Sequence, residues 1–328
     1  MQHNLPSFAD IEAAAARLKG LAVRTPLLEN SALNDLAGGR ILLKAETLQR
    51  TGSFKFRGAW NCIAQLPPEQ ARGGVVAFSS GNHAQGVAAA ARLRGMPALI
   101  VMPRDTPLIK QERTKSFGAE VVLYDRATED REAIAKRIAQ ERGAVIVPPF
   151  EHPHIIAGQG TVGLELAVQA REAGAALDAV FCGASGGGLI AGIALAMEKL
   201  SPATRVTVVE PEGFDDHRRS LLSGQRERNA KATGSICDAL LSPQPGQLTF
   251  AINQSRLAGG IAVSEVEVRR AVAFAFAELK LVVEPGGAVS LAAVLAGKID
   301  TKGRNTGVVL TGGNVDPALF AEIIRGAS

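Results

Sequence analysis

Short apolar runs alternate along the chain with longer segments of helical periodicity. Continuous aliphatic runs bounded by Gly, Pro or polar residues read as strands buried on both faces. They predict strands at Ile41–Ala45, Val75–Phe78, Ala98–Met102, Glu120–Leu123, Ala144–Val147, Ala179–Cys182, Val206–Glu210 and Gly307–Leu310. Helices are predicted over Phe8–Leu18, Phe56–Leu66, His83–Arg94, Leu108–Phe117, Ala127–Arg142, Thr161–Ala173, Leu189–Leu200, Asp216–Ser223, Ser264–Leu279, Ala288–Ala296 and Pro317–Arg325. Such alternation gives parallel sheets covered by helices, the α/β class. Successive units over residues 76–150 predict a small domain inserted in a large one formed by 1–75 and 151–328. Sites in these folds lie beyond the carboxyl ends of strands. The turns after strands therefore matter most.

Composition changes this picture little. The chain has 328 residues, 46% apolar and 21% charged, with a net charge of +4. That range excludes a wholly disordered or disulfide-framework protein. Lys and Arg are scattered, and one Trp and one Tyr leave little for base stacking. No nucleic-acid or membrane partner is expected. The start, Met1-Gln2-His3-Asn4-Leu5-Pro6, lacks a basic and apolar leader. Cys62, Cys182 and Cys237 are odd in number and at no metal spacing. Both features point to a cytoplasmic protein with reduced thiols.

Five turns carry candidate chemistry. In Thr51-Gly52-Ser53-Phe54-Lys55-Phe56-Arg57-Gly58-Ala59, Lys55 stands between two phenylalanines at a helix start. Apolar neighbours, the helix N-terminus and Arg57 would all favour its neutral, nucleophilic amine. The alternative is a surface lysine with its stem packed on a ring. In Phe78-Ser79-Ser80-Gly81-Asn82-His83, a strand runs through a polar turn into an Ala-rich helix. Its free N–H groups could hold a carboxylate, or Ser80 or Asn82 could simply cap the helix. In Cys182-Gly183-Ala184-Ser185-Gly186-Gly187-Gly188-Leu189, three successive glycines could wrap a phosphate. The turn lacks a Gly-Lys-Ser/Thr ending and fits the dinucleotide fingerprint only loosely. A nicotinamide dehydrogenase using it would leave Lys55 unexplained. In Glu210-Pro211-Glu212-Gly213-Phe214-Asp215-Asp216-His217, clustered carboxylates could bind Mg²⁺ or Ca²⁺, or Asp215 or Asp216 could cap a helix. Thr311-Gly312-Gly313-Asn314 places a hydroxyl after the last strand, before the expected N-cap Asp316.

Together these motifs, in this order, resemble the fold-type II pyridoxal-phosphate (PLP) enzymes of the threonine/serine dehydratase and serine racemase group. The resemblance runs from about Leu21 to the C-terminus. It implies two open, mainly parallel twisted sheets covered by helices, as in tryptophan synthase β. It also implies roles. Lys55 would form the internal Schiff base and later remove the Cα proton. Phe54 would lie against the cofactor ring, and Asn82 would bond its 3′ oxygen. Ser185, Gly186, Gly187, Gly188 and Leu189 would cradle the phosphate. Thr311 would face the pyridine nitrogen, where the group usually has serine or cysteine. Ser79, Ser80, Gly81, Asn82 and His83 would grip the substrate carboxylate, with Ser80 opposite Lys55. Ser185 replaces the first of four usual glycines, and its hydroxyl would add a phosphate contact. Glu210, Asp216 and the Phe214 carbonyl match the group's divalent-cation site.

The implied reaction is loss of water from a β-hydroxy L-amino acid of the threonine/serine type, giving a 2-oxo acid and ammonia. Serine racemisation and 3-hydroxyaspartate dehydration are the alternatives on the same scaffold. A second substrate carboxylate would want a cation, and His154, His217 and Arg218 are the candidates. A homodimer is implied. No C-terminal regulatory domain is expected beyond the helix ending near Arg325.

Overall fold

The computed structural model describes residues 5–106, 108–125 and 127–326. Within them, ten strands form two sheets: β1 (Leu27–Leu28), β2 (Arg40–Ala45), β3 (Val75–Phe78), β4 (Ala98–Pro103), β5 (Glu120–Tyr124), β6 (Val145–Ile146), β7 (Ala179–Gly183), β8 (Arg205–Pro211), β9 (Leu257–Val263) and β10 (Asn305–Leu310). The larger sheet runs β1-β2-β10-β7-β8-β9, and the smaller runs β5-β4-β3-β6. Only β1 is antiparallel to its neighbour. This is the doubly covered parallel architecture that the apolar runs predict.

The long helix Pro153–Glu172 crosses the molecule behind the larger sheet and packs on helix Gly188–Leu200. The two backbones nearly touch: a Cβ on Gly192 would lie 2.5 Å from the Gly160 Cα. That helix starts well before the predicted Thr161, because Pro153 occupies its first turn and His152 caps it by accepting the His154 N–H. Helix Pro285–Leu295 likewise starts earlier than the predicted Ala288, again on a first-turn proline. Conversely, helix Arg131–Arg142 starts after the predicted Ala127, since Asp130 accepts the Glu132 and Ala133 N–H groups.

Three helices and two strands lie outside the periodic pattern: Ser31–Ala37, Pro68–Ala71, Gln247–Arg256, β1 and β9. Strand β9 reads Leu-Ala-Gly-Gly-Ile-Ala-Val, whose paired glycines hide the strand signal. Gly260 is there for space, since a Cβ on it would lie 2.6 Å from the Arg218 Cβ, whereas Gly259 takes φ +146°.

One buried ionic cluster ties β2 and the segment after it to the neighbouring helices. Arg57, on helix Lys55–Ile63, bonds Glu46 through two nitrogens and Glu165 through two more contacts. Lys44 bonds Glu165, Gln169 and the Thr25 carbonyl. Among the described residues, no helix is long and apolar enough to cross a membrane.

Candidate active site

A cavity of about 540 Å³ opens where the carboxyl ends of both sheets converge. Phe78, Pro103, Tyr124 and Gly183, each ending a strand, line it. So do Phe54, Lys55, Ser79, Ser80, Gly81, Asn82, His83, Thr311 and the whole run Ser185–Leu189. Residues of four separate motifs thus share one space, large enough for a cofactor and a small substrate.

Lys55 is the first residue of its helix. Its ammonium donates to the Pro149 carbonyl at 3.0 Å and lies 5.1 Å from the Phe54 ring centre. Burial lowers its pKa to about 8, against the opposing charge of Glu284. Arg57 plays no part in that shift, contrary to expectation. Two helical positions on, its guanidinium faces away and is committed to Glu46 and Glu165. Thr311 is fastened alongside: its carbonyl accepts the Phe54 N–H, and Ser53 bridges Gly312.

Helix Asn82–Arg94 begins at Gly81 with no side-chain cap, so neither Ser80 nor Asn82 caps it. The first intrahelical donor is the Gln85 N–H. The N–H groups of Asn82, His83 and Ala84 meet no acceptor among the described residues, an arrangement chemically suited to an anion. The His83 ring points the other way. Its Nε2 donates to the Val147 carbonyl at 2.8 Å, and burial first, then Lys55, lowers its pKa to about 3. The Asn82 amide is oriented from both ends. Its Nδ2 donates to Glu284 at 2.6 Å, and its Oδ1 accepts from Asn314 at 2.6 Å. Burial, with Asp238 adding, pushes Glu284 up to about 7 against Asn82, Lys110 and Lys55.

The glycine turn is held from outside. The Ser185 carbonyl accepts from His217, the Gly186 carbonyl from Thr249 and the Gly246 N–H, and the Gly187 carbonyl from Asn253. Each trans peptide then aims its N–H the opposite way. The five N–H groups from Ser185 to Leu189 find no acceptor among the described residues. Gly187 takes φ +92°, where a side chain is strained. The Ser185 hydroxyl is already engaged, donating to Ser242 Oγ at 2.7 Å and accepting the Ser242 N–H.

The Glu210 group stands apart from this cavity. Both Glu210 oxygens accept N–H groups at the start of helix Asp216–Ser223, from His217 at 3.0 Å and Arg218 at 2.8 Å. Glu210 thereby does the capping expected of Asp215 or Asp216, while Asp215 pairs with Arg218 and Arg219. The turn closed by the Phe214 N–H on the Pro211 carbonyl buries Phe214 between them. One ligand atom each from Glu210, Asp216 and His217 lies within 4.8 Å of the others. Asp216 Oδ2 is buried without a hydrogen-bond partner. Burial raises Glu210, with Asp216 adding, and lifts Asp216 to about 7.

The family described as pyridoxal-phosphate dependent enzyme matches residues 18–312. The chain belongs to this family. As a PLP enzyme it is 43% identical over 322 residues to the L-threo-3-hydroxyaspartate ammonia-lyase of Pseudomonas sp, covering 98% of this chain and 99% of that one. It is 40% identical to the serine racemase of Schizosaccharomyces pombe, covering 98% of each. Among solved structures, the T.th. threonine deaminase superposes with a TM-score of 0.89 at 44% identity, over 95% of this chain and 99% of that one.

The site fits the PLP cofactor of this family. Inward N–H groups at a helix start suit its phosphate, a lysine with a lowered pKa suits its aldehyde, and an oriented Asn82 amide suits its 3′ oxygen.

The cavity residues Glu284, Lys110 and Arg131 are among those missing from the sequence reading of this PLP enzyme. Glu284 carries a weak signal, an acidic residue before Pro285 at a helix start. Lys110 and Arg131 carry none, lying on ordinary charged helices. His154, His217 and Arg218, the expected partners of a second carboxylate, do not line the cavity.

Proposed function

We propose that this PLP enzyme is an ammonia-lyase that removes water from a β-hydroxy amino acid bearing a second carboxylate, the 3-hydroxyaspartate class. Arg131 carries this reading. It lines the cavity, rests 5.4 Å above the Phe78 ring, and makes no hydrogen bond or ion pair with any described residue. Such a guanidinium suits a carboxylate. Lys110 lines the cavity too but is paired with Asp238 at 2.6 Å.

In this reading the N–H groups at the start of helix Asn82–Arg94 bind the α-carboxylate. Arg131 binds the distal one, which fixes Cα between Lys55 and Ser80. The bound cofactor supplies the electron sink for the Cα charge. Lys55, neutral at modest alkalinity, anchors the cofactor and takes the Cα proton. Water leaves from Cβ, and hydrolysis of the resulting enamine yields the 2-oxo acid and ammonia. Phe54 flanks the cofactor ring, Asn82 bonds its 3′ oxygen, and Thr311 gives its pyridine nitrogen a neutral partner. Racemisation is the second reading, because the Ser80 hydroxyl lines the cavity and makes no hydrogen bond with a described residue.

Release of 2-oxo acid from L-threo-3-hydroxyaspartate, L-threonine and L-serine tests the proposal, with chiral analysis of unreacted substrate reporting racemisation. Arg131→Met is expected to lower kcat/KM for 3-hydroxyaspartate by roughly 10- to 100-fold, the worth of one charge-assisted bond. L-serine turnover should barely change. An equal loss on both substrates, or wild-type preference for threonine, refutes the dicarboxylate reading.

We further propose a divalent cation, Mg²⁺ or Ca²⁺, on Glu210, Asp216 and the Phe214 carbonyl. At about a hundred times its Kd such an ion adds about 2.7 kcal/mol of stability. Chelation should therefore lower the Tm by several degrees, and an unchanged Tm and activity would remove the metal. The enzyme is also proposed to be a homodimer, as the resemblance implies, and cytoplasmic, because its three cysteines are free and buried.

A further inference from the structure

We infer that His217 is a positioning residue that joins the cation site to the phosphate cup, so that cation and cofactor strengthen each other's binding. The inference rests on the proposed cation at Glu210 and Asp216.

His217 touches both sites with different atoms. Its backbone N–H donates to Glu210 Oε1 at 3.0 Å. Its ring Nε2 lies 3.0 Å from the Ser185 carbonyl. A carbonyl only accepts, so Nε2 carries the proton. The ring is fully buried, and its Nδ1 has no hydrogen-bond partner. The imidazole also packs on the turn: a Cβ on Gly187 would lie 2.4 Å from its Cε1.

The Ser185 carbonyl and the Gly186 N–H belong to one rigid peptide unit. Holding the oxygen outward holds the N–H toward the cavity. Thr249 and Asn253 do the same for the next two peptides, but both come from helix Gln247–Arg256. His217 alone among these three follows directly on a cation-site residue, Asp216. When Asp216 and Glu210 close on a cation, the backbone at His217 is drawn with them. The imidazole follows, and so does the first peptide of the cup. Linkage then works in both directions, because coupling between two binding sites is reciprocal.

The test uses the holoenzyme. Calorimetry with Mg²⁺ and Ca²⁺ after exhaustive chelation establishes whether a cation binds. Cofactor release into buffer and the ³¹P resonance of the bound phosphate are then followed with and without chelator. In the wild type, chelation should speed release roughly tenfold, within the range usual for linked sites. It should also shift the ³¹P signal, and returning the cation should reverse both effects. His217→Phe keeps the ring volume but loses the donor. It should release cofactor quickly whether or not a cation is bound, while calorimetry still finds the cation. His217→Gln, with an N–H at similar reach, should restore the cation dependence. A wild type that binds a cation yet shows no change in release or ³¹P signal overturns the link, even if His217→Phe does not fold. So does a His217→Phe enzyme that responds to chelation like the wild type. If calorimetry finds no cation at all, the cation site itself fails and the link with it.

Discussion

Lys55→Ala should lower 2-oxo acid release by roughly 10⁴-fold, the upper range for loss of a positioned general base. The substitution removes the amine that anchors the cofactor and the group nearest a Cα proton. Little can replace it. The cavity's other amine, Lys110, is tied to Asp238. His83 is turned toward Val147, and burial with the Lys55 charge keeps its ring neutral. The variant should fold, because the Lys55 ammonium makes one hydrogen bond, to Pro149. The visible band of the lysine-bound cofactor should be lost in the same protein. Undiminished 2-oxo acid formation would sink the proposed mechanism. The lowered pKa adds a pH signature. Only the neutral amine captures an aldehyde, so cofactor uptake by stripped enzyme should rise with pH and level off above about 8.

Arg57→Met should cost about 3–5 kcal/mol of stability, the range for removing one partner of a buried ionic cluster. Arg57 and Glu46 are almost wholly buried, and their shortest contact is 2.8 Å. Without the guanidinium, Glu46 keeps only the Thr25 hydroxyl, and Glu165 is left with Lys44. A fall in Tm of roughly 4–7 °C is expected for a chain of this length, read by calorimetry on the holoenzyme. A shift below about 1 °C would show the cluster to be energetically idle. Acid should act in the same direction. Burial alone would raise Glu46, but Arg57 beside it holds the carboxyl below its ordinary range. Its contribution is therefore present above the usual carboxylate pKa and is lost as pH falls through the lowered one.

The fold was legible because its signals are local. Aliphatic runs and helical periodicity act within a few residues and mark most strands and helices, while the helix starts set by Asp130, Pro153 and Pro285 were misplaced. The elements that escaped were short, such as Pro68–Ala71, or interrupted by paired glycines, as in β9, where Gly260 packs against a helix. In the candidate site, the Lys55 turn, the Ser80–His83 turn and the Ser185–Leu189 turn were legible for the same reason. Each presents backbone groups or one side chain of its own turn to the cavity. Glu284 was not legible, because it meets Asn82 across 202 residues of chain. The partner of the Ser185 hydroxyl was not legible either, since it meets Ser242, 57 residues away.

The amino-acid sequence by itself determined the parallel α/β architecture, the strand-to-helix turns and the lysine among phenylalanines. Periodicity, glycine freedom and desolvation operate over a turn or two of chain. Only the tertiary structure decided which turns share a cavity, that Arg131 brings it a cation unpaired among the described residues, and that Arg57 serves the scaffold instead of Lys55. It also decided that His217 meets both the Glu210 carboxylate and the Ser185 carbonyl. Those outcomes depend on sheet order and helix packing, which bring together side chains that no local pattern relates.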